Sequence, residues 1–407
     1  MVGPELGGGE VRDARQFRLR CAQLAAGAVA RPRPCAHSNR RGGVMAAPQY
    51  SSIVADDVAR LTRDLEDVLP RFDGATVLIT GASGFLMSYI VETLLGWNRS
   101  GAARPCRIIA LDNFKTGLPE RLAHYEGASD LQFLKHDIVE PLTIAEPVHY
   151  IVHGASIASP MVYRQFPIET IDANVGGTRH MLDLARNKQV RGVIVMSTSE
   201  IYGDPFPEFI PTPEDYRGNV SCTGPRACYD EGKRMAETLA MTWFRLFDTP
   251  IKMIRPFNVY GPGLRLNDQR VLPDFVSCVL AGKPIELLSD GKPTRSFCYI
   301  TDATALMIRM LASNVAGEPL NVGNDEVEIS MLDLARTVSR IGARALGRAP
   351  FDVKHAVSDD KDYLVDNPQR RCPSLAKARA LFPGWAPKVG IEEGIDRYIR
   401  HAIERGR

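Results

Sequence analysis

A tyrosine and a lysine four residues apart, Tyr229 and Lys233, stand downstream of a threonine, Thr198, that follows an apolar run. Positions four apart share one face of a helix, so the Lys233 ammonium would lie near the Tyr229 phenol. A phenol has an ordinary pKa of about 10 and needs such a cation to act as a base near neutral pH. With Thr198 bound to the same oxygen, Tyr229 would take the proton of an alcohol while hydride passes to a nicotinamide.

The surrounding motifs favour this redox site over the alternative of an ordinary exposed helix face. A Tyr-x-x-x-Lys pair alone is most often a surface feature. Here a glycine-rich turn at residues 80–85 precedes it, and the strand before it leads into a hydroxyl and a carboxylate at Thr198 and Glu200. We therefore interpret Thr198, Tyr229 and Lys233 as catalytic.

The glycine-rich turn has the composition of a dinucleotide-binding loop. Gly81 and Gly84 follow an apolar run and open a helical pattern, the context in which a backbone approaches a pyrophosphate. Met87 stands where close packing of helix on strand usually requires a third glycine. A turn without a ligand is the alternative. The predicted contacts from this turn are Gly81, Ser83, Gly84, Phe85 and Leu86.

Residues at the ends of the next strands extend the predicted cofactor site. Asp112 closes the second apolar run, where a carboxylate would bind ribose hydroxyls and repel a 2′-phosphate, so NAD is favoured over NADP. Asp137 would hold the adenine edge, although a solvated loop end is an equally open interpretation. Gly154 and Ala155 supply small residues where a dinucleotide must pass close to the backbone.

The elements that must position these residues alternate between apolar runs and amphipathic stretches. This alternation is typical of βαβ units, and near-continuous apolar runs predict strands covered on both faces. We predict an α/β fold with a doubly wound parallel sheet. The predicted strands are 75–79, 107–111, 131–134, 150–153, 192–196, 251–254 and 320–322, and the predicted helices are 85–97, 169–187, 230–246, 273–281, 331–346 and 392–404.

Bulk composition excludes several classes of protein. The 407 residues are 44% hydrophobic with a formal net charge of +2, which predicts a globular protein without a nucleic-acid or acidic-membrane partner. No apolar run reaches the roughly 18 to 20 residues of a membrane-spanning helix. The eight cysteines show no metal-binding spacing, so we expect no metal, reduced thiols and a cytoplasmic protein.

The first 70 residues differ from the rest in being rich in glycine, proline and arginine. Early acidic residues and the lack of an apolar signal core argue against a targeting peptide. We expect an extension over 1–70 that is disordered or in part an artefact of the start site. Met45 is a plausible true start, which leaves open whether residues 1–44 exist in the mature protein.

The chain resembles the extended short-chain dehydrogenase/reductase family, in its NAD-dependent epimerase/dehydratase group, and within that group the UDP-glucuronate decarboxylases, also called UDP-xylose synthases. The resemblance covers most of the chain. It implies a Rossmann-type fold with NAD as cofactor and further cofactor contacts from Asn113 and Ile138. The matching blocks are 112–114 with 116–117, 136–141, 197–205, 224–234, 258–262 and 294–297.

The resemblance implies oxidation of C4 of UDP-glucuronate, loss of CO2 from the resulting β-keto acid and protonation at C5. The product would be UDP-xylose if C4 is reduced again, or a UDP-4-keto-pentose if it is not. Ser199 stands where related dehydratases have an acid, which disfavours dehydration. Glu200 would act as acid/base near C5, and Arg295 would hold the carboxylate and stabilise the enolate, with a structural ion pair as its alternative.

The resemblance also implies positions for the rest of the nucleotide sugar. Asn258 and Arg270 match positions that hold the sugar diphosphate, and Tyr163 would lie in the sugar pocket. The segment around Tyr163 departs from the family pattern, which leaves the sugar open. Weaker candidates, because such residues are usually surface, are Tyr299, Arg370 and Arg371.

Two other functions stay open on the sequence alone. One is a related reaction on the same fold, 4-epimerisation or 4,6-dehydration of another nucleotide sugar. Substrate profiling would distinguish it from decarboxylation of UDP-glucuronate. A non-catalytic NAD-binding protein is disfavoured because it would not need the triad. We further expect an NAD-binding domain over 71–257, a smaller and mainly substrate-binding domain over 258–407 whose elements partly return to the first, and a homodimer formed through helices 169–187 and 230–246.

Overall fold

The computed structural model describes residues 51–357, 365 and 367–406. Expectations for residues 1–50 lie outside the described residues. The strands are β1 Thr76–Thr80, β2 Arg107–Asp112, β3 Leu131–Lys135, β4 Tyr150–His153, β5 Gly192–Met196, β6 Ile251–Pro256, β7 Val259–Tyr260, β8 Ile285–Leu287, β9 Thr294–Ser296, β10 Cys298–Tyr299, β11 Glu318–Val322, β12 Glu328–Ser330, β13 Val353–His355 and β14 Arg370–Arg371.

The helices pack around these strands, with short 3-10 turns between them. They are α1 Ser52–Asp64, α2 Phe85–Ser100, α3 Pro160–Gln165, α4 Pro167–Asp172, α5 Thr178–Lys188, α6 Ala227–Phe247, α7 Val271–Leu280, α8 Ile300–Ala312, α9 Met331–Leu346, α10 Ala376–Leu381 and α11 Ile391–Glu404. Within the described ranges, no helix combines the length and apolar character needed to cross a membrane.

The seven predicted strands form one parallel sheet in the order β11-β6-β5-β4-β1-β2-β3. The doubly wound α/β fold is therefore confirmed. The central strands β1, β4 and β5 are buried along their whole length, which explains their continuous apolar runs. The prediction of two covered faces is wrong for β3, because this strand lies at the edge of the sheet and leaves Phe133 41% exposed.

The predicted helix 169–187 is not one regular helix. Helix α4 passes into a π-helical turn over Ala173–Gly177 before α5 begins. Gly177 lies so close to Ile138 that an added Cβ would come within 2.4 Å of the Ile138 Cδ1. Because Gly177 has no side chain, this turn packs directly against the loop after β3, beside the predicted cofactor site.

The C-terminal half builds small sheets beside the large one and also returns to it. Strand β11 joins the large sheet next to β6, and a single hydrophobic core extends from α1 through α8 to α11. Three smaller sheets pair β7 with β10, β8 with β13, and β9 with β12 and β14. The domain boundary near residue 257 stays a prediction.

The structure differs from the expected extension at residues 51–70. Helix α1 packs on the core through Val58 and Leu61, and its Asp57 is completely buried. The Asp57 carboxylate accepts hydrogen bonds from Tyr89 and Arg397. A buried ion pair and an apolar face attach this helix to both halves of the chain, so the extension does not reach residue 70.

Candidate active site

The three predicted catalytic residues come together where β5 ends. Strand β5 is buried as far as Met196, and Thr198 follows it in extended backbone. Helix α6 carries Tyr229 and Lys233, one turn apart and both buried. The Lys233 Nζ donates to the Met196 carbonyl at 2.8 Å, which attaches α6 to the end of the strand. All of these residues line one cavity of about 440 Å³.

Burial controls the charges of this pair. Burial raises the pKa of Tyr229, while a hydrogen bond from Thr198 opposes that rise. Burial lowers the pKa of Lys233 to about 7, against a smaller opposing effect of Glu237. The Lys233 Nζ lies 5.9 Å from the centroid of the Tyr229 ring. The side chains are adjacent as predicted, and a negatively charged group near Lys233 would favour its cationic form.

Tyr163 lies against the catalytic tyrosine. The rings of Tyr163 and Tyr229 stack with centroids 5.0 Å apart and planes 4° apart. Tyr163 is 1% exposed, and within the described residues its hydroxyl has no hydrogen-bond partner. It lines the 440 Å³ cavity and a second cavity of about 470 Å³. Its role as a sugar-pocket residue stays a prediction.

Glu200 is held between two arginines. Its carboxylate accepts hydrogen bonds from Arg226 and from both terminal nitrogens of Arg371. Burial raises the pKa of Glu200, but the charges of Arg226 and Arg371 outweigh burial and set this pKa to about 2. Glu200 is thus an anion at neutral pH and lines both cavities. Ser199 precedes it, buried in the wall of the 440 Å³ cavity.

Arg371, only a weak candidate from the sequence because arginines usually lie on the surface, is buried in the site. Strand β14 pairs with β9 so that Arg371 is the register partner of Arg295, and Arg371 is 6% exposed. The interpretation as a surface arginine holds for Arg370, which is exposed and pairs with Glu328. The only signal in the sequence is the Arg370-Arg371 dipeptide itself, because the pairing of β14 with β9 joins distant segments.

Arg295 lines the 470 Å³ cavity. Its guanidinium donates to the carbonyl oxygens of Thr294, Gln369 and Pro368 and to the Asn367 side-chain oxygen. Burial and, to a smaller extent, the charge of Arg371 lower the pKa of Arg295 to about 9, against an opposing effect of Glu200. The alternative of a structural ion pair does not describe Arg295, since these four acceptors are uncharged. A bound anion would relieve the cost of keeping this charge buried.

Two predicted diphosphate residues, Asn258 and Arg270, line both large cavities. Asn258 has a φ of 37° and donates its amide to the Ser296 carbonyl at 2.9 Å. Arg270 precedes α7 and pairs with Asp268, with its side chain 42% exposed. Arg270 therefore keeps donors at the opening of the cavities, where a phosphate would meet them.

The prediction that Tyr299 contacts substrate is wrong. Tyr299 is completely buried, and its hydroxyl donates to Asp57 at 2.8 Å and accepts from Arg397 at 3.1 Å. Among the described residues that line the cavities, Tyr299 does not occur. Its hydroxyl hydrogen-bonds Asp57 and Arg397 and so helps to hold α1 against the core.

Except for Ser83, the residues predicted to hold a dinucleotide line one groove. Gly81 has a φ of 68°, and a Cβ there would lie 2.9 Å from the Ala155 Cα, so the turn fits only without a side chain. Gly84 is the residue before α2. The groove continues from the 440 Å³ cavity into a cavity of about 140 Å³, which is lined by Asp112, Asn113, Asp137, Ile138, Gly154 and Ala155. Ser83, predicted as a contact, is buried in the turn, while Phe85 and Leu86 line the larger cavity.

The carboxylates of the groove are held in place by local hydrogen bonds. Asp112 accepts from the backbone N–H groups of Ser83 at 3.0 Å and Phe114 at 2.8 Å. Burial raises the pKa of Asp137, but Lys115, 2.9 Å away, contributes most to holding it below its ordinary value. The glycine-rich turn leaves room for a dinucleotide to lie close to its backbone. The anionic Asp137 and the hydrogen-bonded Asp112 beside it could accept hydrogen bonds from free ribose hydroxyls.

Known proteins are similar to this chain in sequence and in fold. The model of the family described as "NAD dependent epimerase/dehydratase family" matches residues 77–323. The chain is 38% identical to UDP-glucuronic acid decarboxylase 3 of Arabidopsis thaliana over 78% of this chain and 86% of that protein. It is 36% identical to UDP-glucuronic acid decarboxylase 1 of Xenopus tropicalis over 81% of this chain and 72% of that protein. The structure of dTDP-glucose 4,6-dehydratase from Streptomyces venezuelae, solved with NAD, superimposes with a TM-score of 0.68 at 24% identity, covering 81% of this chain and 98% of that one.

Proposed function

The chain belongs to the NAD-dependent epimerase/dehydratase family, and we propose that it decarboxylates UDP-glucuronate through a 4-keto intermediate, with NAD as cofactor. The observation that carries this proposal is the arrangement of charges in the 470 Å³ cavity. Arg226 and Arg371 pair with Glu200 in its wall, whereas the hydrogen-bond acceptors of the third arginine there, Arg295, are uncharged. A substrate carboxylate would complete this site, whereas a neutral sugar would leave Arg295 without an anion.

Thr198, Tyr229 and Lys233, which meet at the end of β5, would carry out the oxidation at C4. Tyr229 would take the proton of the C4 hydroxyl, with Thr198 hydrogen-bonded to the same oxygen. Lys233 would stabilise the tyrosinate and hold the nicotinamide ribose. The bound NAD supplies the hydride acceptor. Stacking with Tyr163 restricts the Tyr229 ring to one orientation, which is what a positioned base requires.

Decarboxylation of the 4-keto acid would then depend on Arg295, which would orient the carboxylate and stabilise the enolate. For protonation at C5, the anionic Glu200 would first take a proton from solvent and then pass it to the carbon, which returns Glu200 to its anionic form. A substrate carboxylate beside Glu200 raises its pKa, which is the direction that an acid/base role requires. Ser199 cannot protonate a leaving hydroxyl effectively, so the site favours decarboxylation over 4,6-dehydration.

The experiment is incubation of the purified protein with NAD+ and UDP-glucuronate, followed by mass spectrometry of CO2 and the nucleotide sugars. We expect CO2 release that Tyr229→Phe lowers by about 10² to 10⁴-fold. Tyr150→Phe, a phenol outside the described walls of the cavities, is the matched control. The product mass distinguishes UDP-xylose from the 4-keto-pentose. Bound NAD without CO2, or an epimer instead, would contradict the proposal.

A homodimer through α4 to α6 is also part of the proposal. Apolar side chains on these helices face outward, with Ile168 70%, Ile171 44%, Met235 46% and Leu246 68% exposed. Burial of such a patch against a second copy supports association. We expect the mass of a dimer by light scattering, and a monomer for Ile168→Asp. A monomeric parent chain at micromolar concentration would contradict this assembly.

We further propose that the enzyme works in the cytoplasm. The six cysteines within the described residues are free thiols, which suits a reducing compartment. Fractionation of cells that express the tagged full chain tests this placement. Recovery of the protein in a membrane-enclosed organelle would contradict it.

A further inference from the structure

A loop after β7 forms one wall of the cofactor groove. This loop covers residues 261–268 and begins with a turn in which the Leu264 N–H donates to the Gly261 carbonyl at 3.1 Å. Gly263 within the turn has a φ of 88°. Leu264, Arg265 and Asn267 line the 440 Å³ cavity together with the glycine-rich turn. The groove therefore lies between the glycine-rich turn and this loop.

Two guanidinium groups join the loop to the cofactor-binding half. Arg121 donates from Nη1 to the Ser83 carbonyl and from Nη2 to the Gly263 carbonyl, each at 2.5 Å. In the opposite direction, Arg265 donates from Nη2 to the Thr116 carbonyl at 2.5 Å. We call Arg121, Arg265 and these carbonyl acceptors the retention latch.

The latch stands at the part of the groove that a dinucleotide must occupy. Ser83 belongs to the glycine-rich turn, and Thr116 borders both the 440 Å³ and the 140 Å³ cavities. Its two bridges start from opposite sides, so opening the loop requires breaking both. Hydrogen bonds from a charged donor are about twice as strong as neutral ones, so each bridge resists this opening.

The loop is also held by hydrogen bonds that do not belong to the latch. The Tyr398 hydroxyl of α11 donates to the Leu264 carbonyl at 3.0 Å, and Ser159 donates to the Asp268 carbonyl at 3.3 Å. These contacts do not involve the cofactor-binding turn. Loss of the latch would therefore loosen the wall of the groove at Gly263 and Arg265, while Leu264, Leu266 and Asp268 stay attached on the other side.

We propose that the retention latch keeps the dinucleotide bound between turnovers, with Arg121 and Arg265 as positioning residues for the loop. This inference rests on the NAD cofactor of the proposed function and goes beyond it. Retention suits a reaction in which the same cofactor first takes hydride from the sugar and later returns it. Product would leave through the 470 Å³ cavity, on whose wall Arg121 and Arg265 do not lie.

The test measures NADH binding and release without any sugar. Purified full chain is loaded with NADH, and release is followed by stopped-flow fluorescence after addition of excess NAD+. We expect Arg265→Gln, which loses one charged hydrogen bond, to speed release by about tenfold, and Arg121→Gln, which loses two, to speed it by at least as much. Association should also become faster, because the same opening admits and releases the cofactor. The double variant should approach the product of the two effects.

Arg336→Gln removes a surface guanidinium that pairs with Asp333 on α9, and it should change neither rate. Thermal unfolding of each variant shows whether it is folded. If one variant fails to fold, the release rate of the other single variant still tests the proposal. Unchanged release rates would overturn the latch. Faster release with unchanged association would also overturn it, since this result describes a direct cofactor ligand. Failure to bind NADH at all would contradict the cofactor, whereas absent CO2 with normal NADH binding contradicts only the proposed reaction.

Discussion

The side chain of Met87 occupies the space that Gly154 leaves empty. A Cβ added to Gly154 would lie 2.3 Å from the Met87 Sδ and 2.5 Å from its Cγ. Met87 is 3% exposed. The glycine that close packing requires is thus supplied at the end of β4 instead of at the third position of the glycine-rich motif, and the two residues form a matched pair.

From this pair we predict that Gly154→Ala weakens NADH binding by about tenfold, because overpacking in a well-packed site costs on the order of 1 to 3 kcal/mol. Met87→Ala in the same chain should restore most of the affinity by removing the clashing atoms. Fluorescence titration of NADH with all four members of the double-mutant cycle measures the coupling. Gly176→Ala, a helical position where an added Cβ meets nothing within 4 Å, is the control. Additive effects at Gly154 and Met87 would contradict the pairing.

Replacement of the buried anion should destabilise the protein in a pH-dependent way. The pKa of Glu200 is about 2 in the folded chain, against an ordinary value of 4.5. The ionised Glu200 carboxylate therefore stabilises the folded protein fully above about pH 4.5, and this contribution is lost as the pH falls toward about 2. We expect Glu200→Gln to lower the free energy of unfolding by about 3 kcal/mol at pH 7.

Denaturant unfolding from pH 7 down to pH 3 measures this difference, which should shrink below about pH 4.5. Glu392→Gln is the matched control, because Glu392 forms an exposed ion pair with Arg340, and such pairs contribute little. A difference that stays constant with pH would show that lost packing, rather than lost charge, accounts for the effect.

The unsatisfied hydroxyl of Tyr163 leads to a prediction about substrate. Tyr163→Phe removes a buried hydroxyl without a partner among the described residues, so the thermal stability should stay the same or rise. If the hydroxyl contacts the sugar, the KM for UDP-glucuronate should rise by about tenfold while NADH affinity is unchanged. An unchanged KM together with a lower Tm would show that Tyr163 is structural.

The corrected role of Tyr299 predicts the opposite pattern. Tyr299→Phe removes the hydroxyl that joins Asp57 and Arg397, and we expect a loss of about 1 to 2 kcal/mol in the free energy of unfolding. The KM for substrate should not change. Tyr89→Phe, which loses the other phenol bound to Asp57, should show a similar loss. A raised KM without destabilisation would restore the original assignment of Tyr299 to the substrate site.

Much of the fold and the centre of the site followed from local sequence. Apolar runs located all seven strands of the large sheet, because strands covered by helices on both faces consist mostly of apolar residues. The spacing of Tyr229 and Lys233 placed both side chains on one helix face, since that relation depends only on helix geometry. The glycine-rich turn was recognisable because a positive φ at Gly81 restricts that position to glycine.

The sequence by itself determined the α/β class, the order of strands and helices along the chain, and which residues could do redox chemistry. The tertiary structure alone decided which distant residues meet. Arg371 reaches Glu200 across 171 positions of the chain, and Tyr299 reaches Asp57 across 242. Local hydrogen bonds and the periodicity of apolar side chains depend on residues that are close in sequence. The pairing of β14 with β9 and the packing of α1 depend instead on the whole core. The charge of Glu200, the burial of Tyr299 and the retention latch therefore required the folded chain.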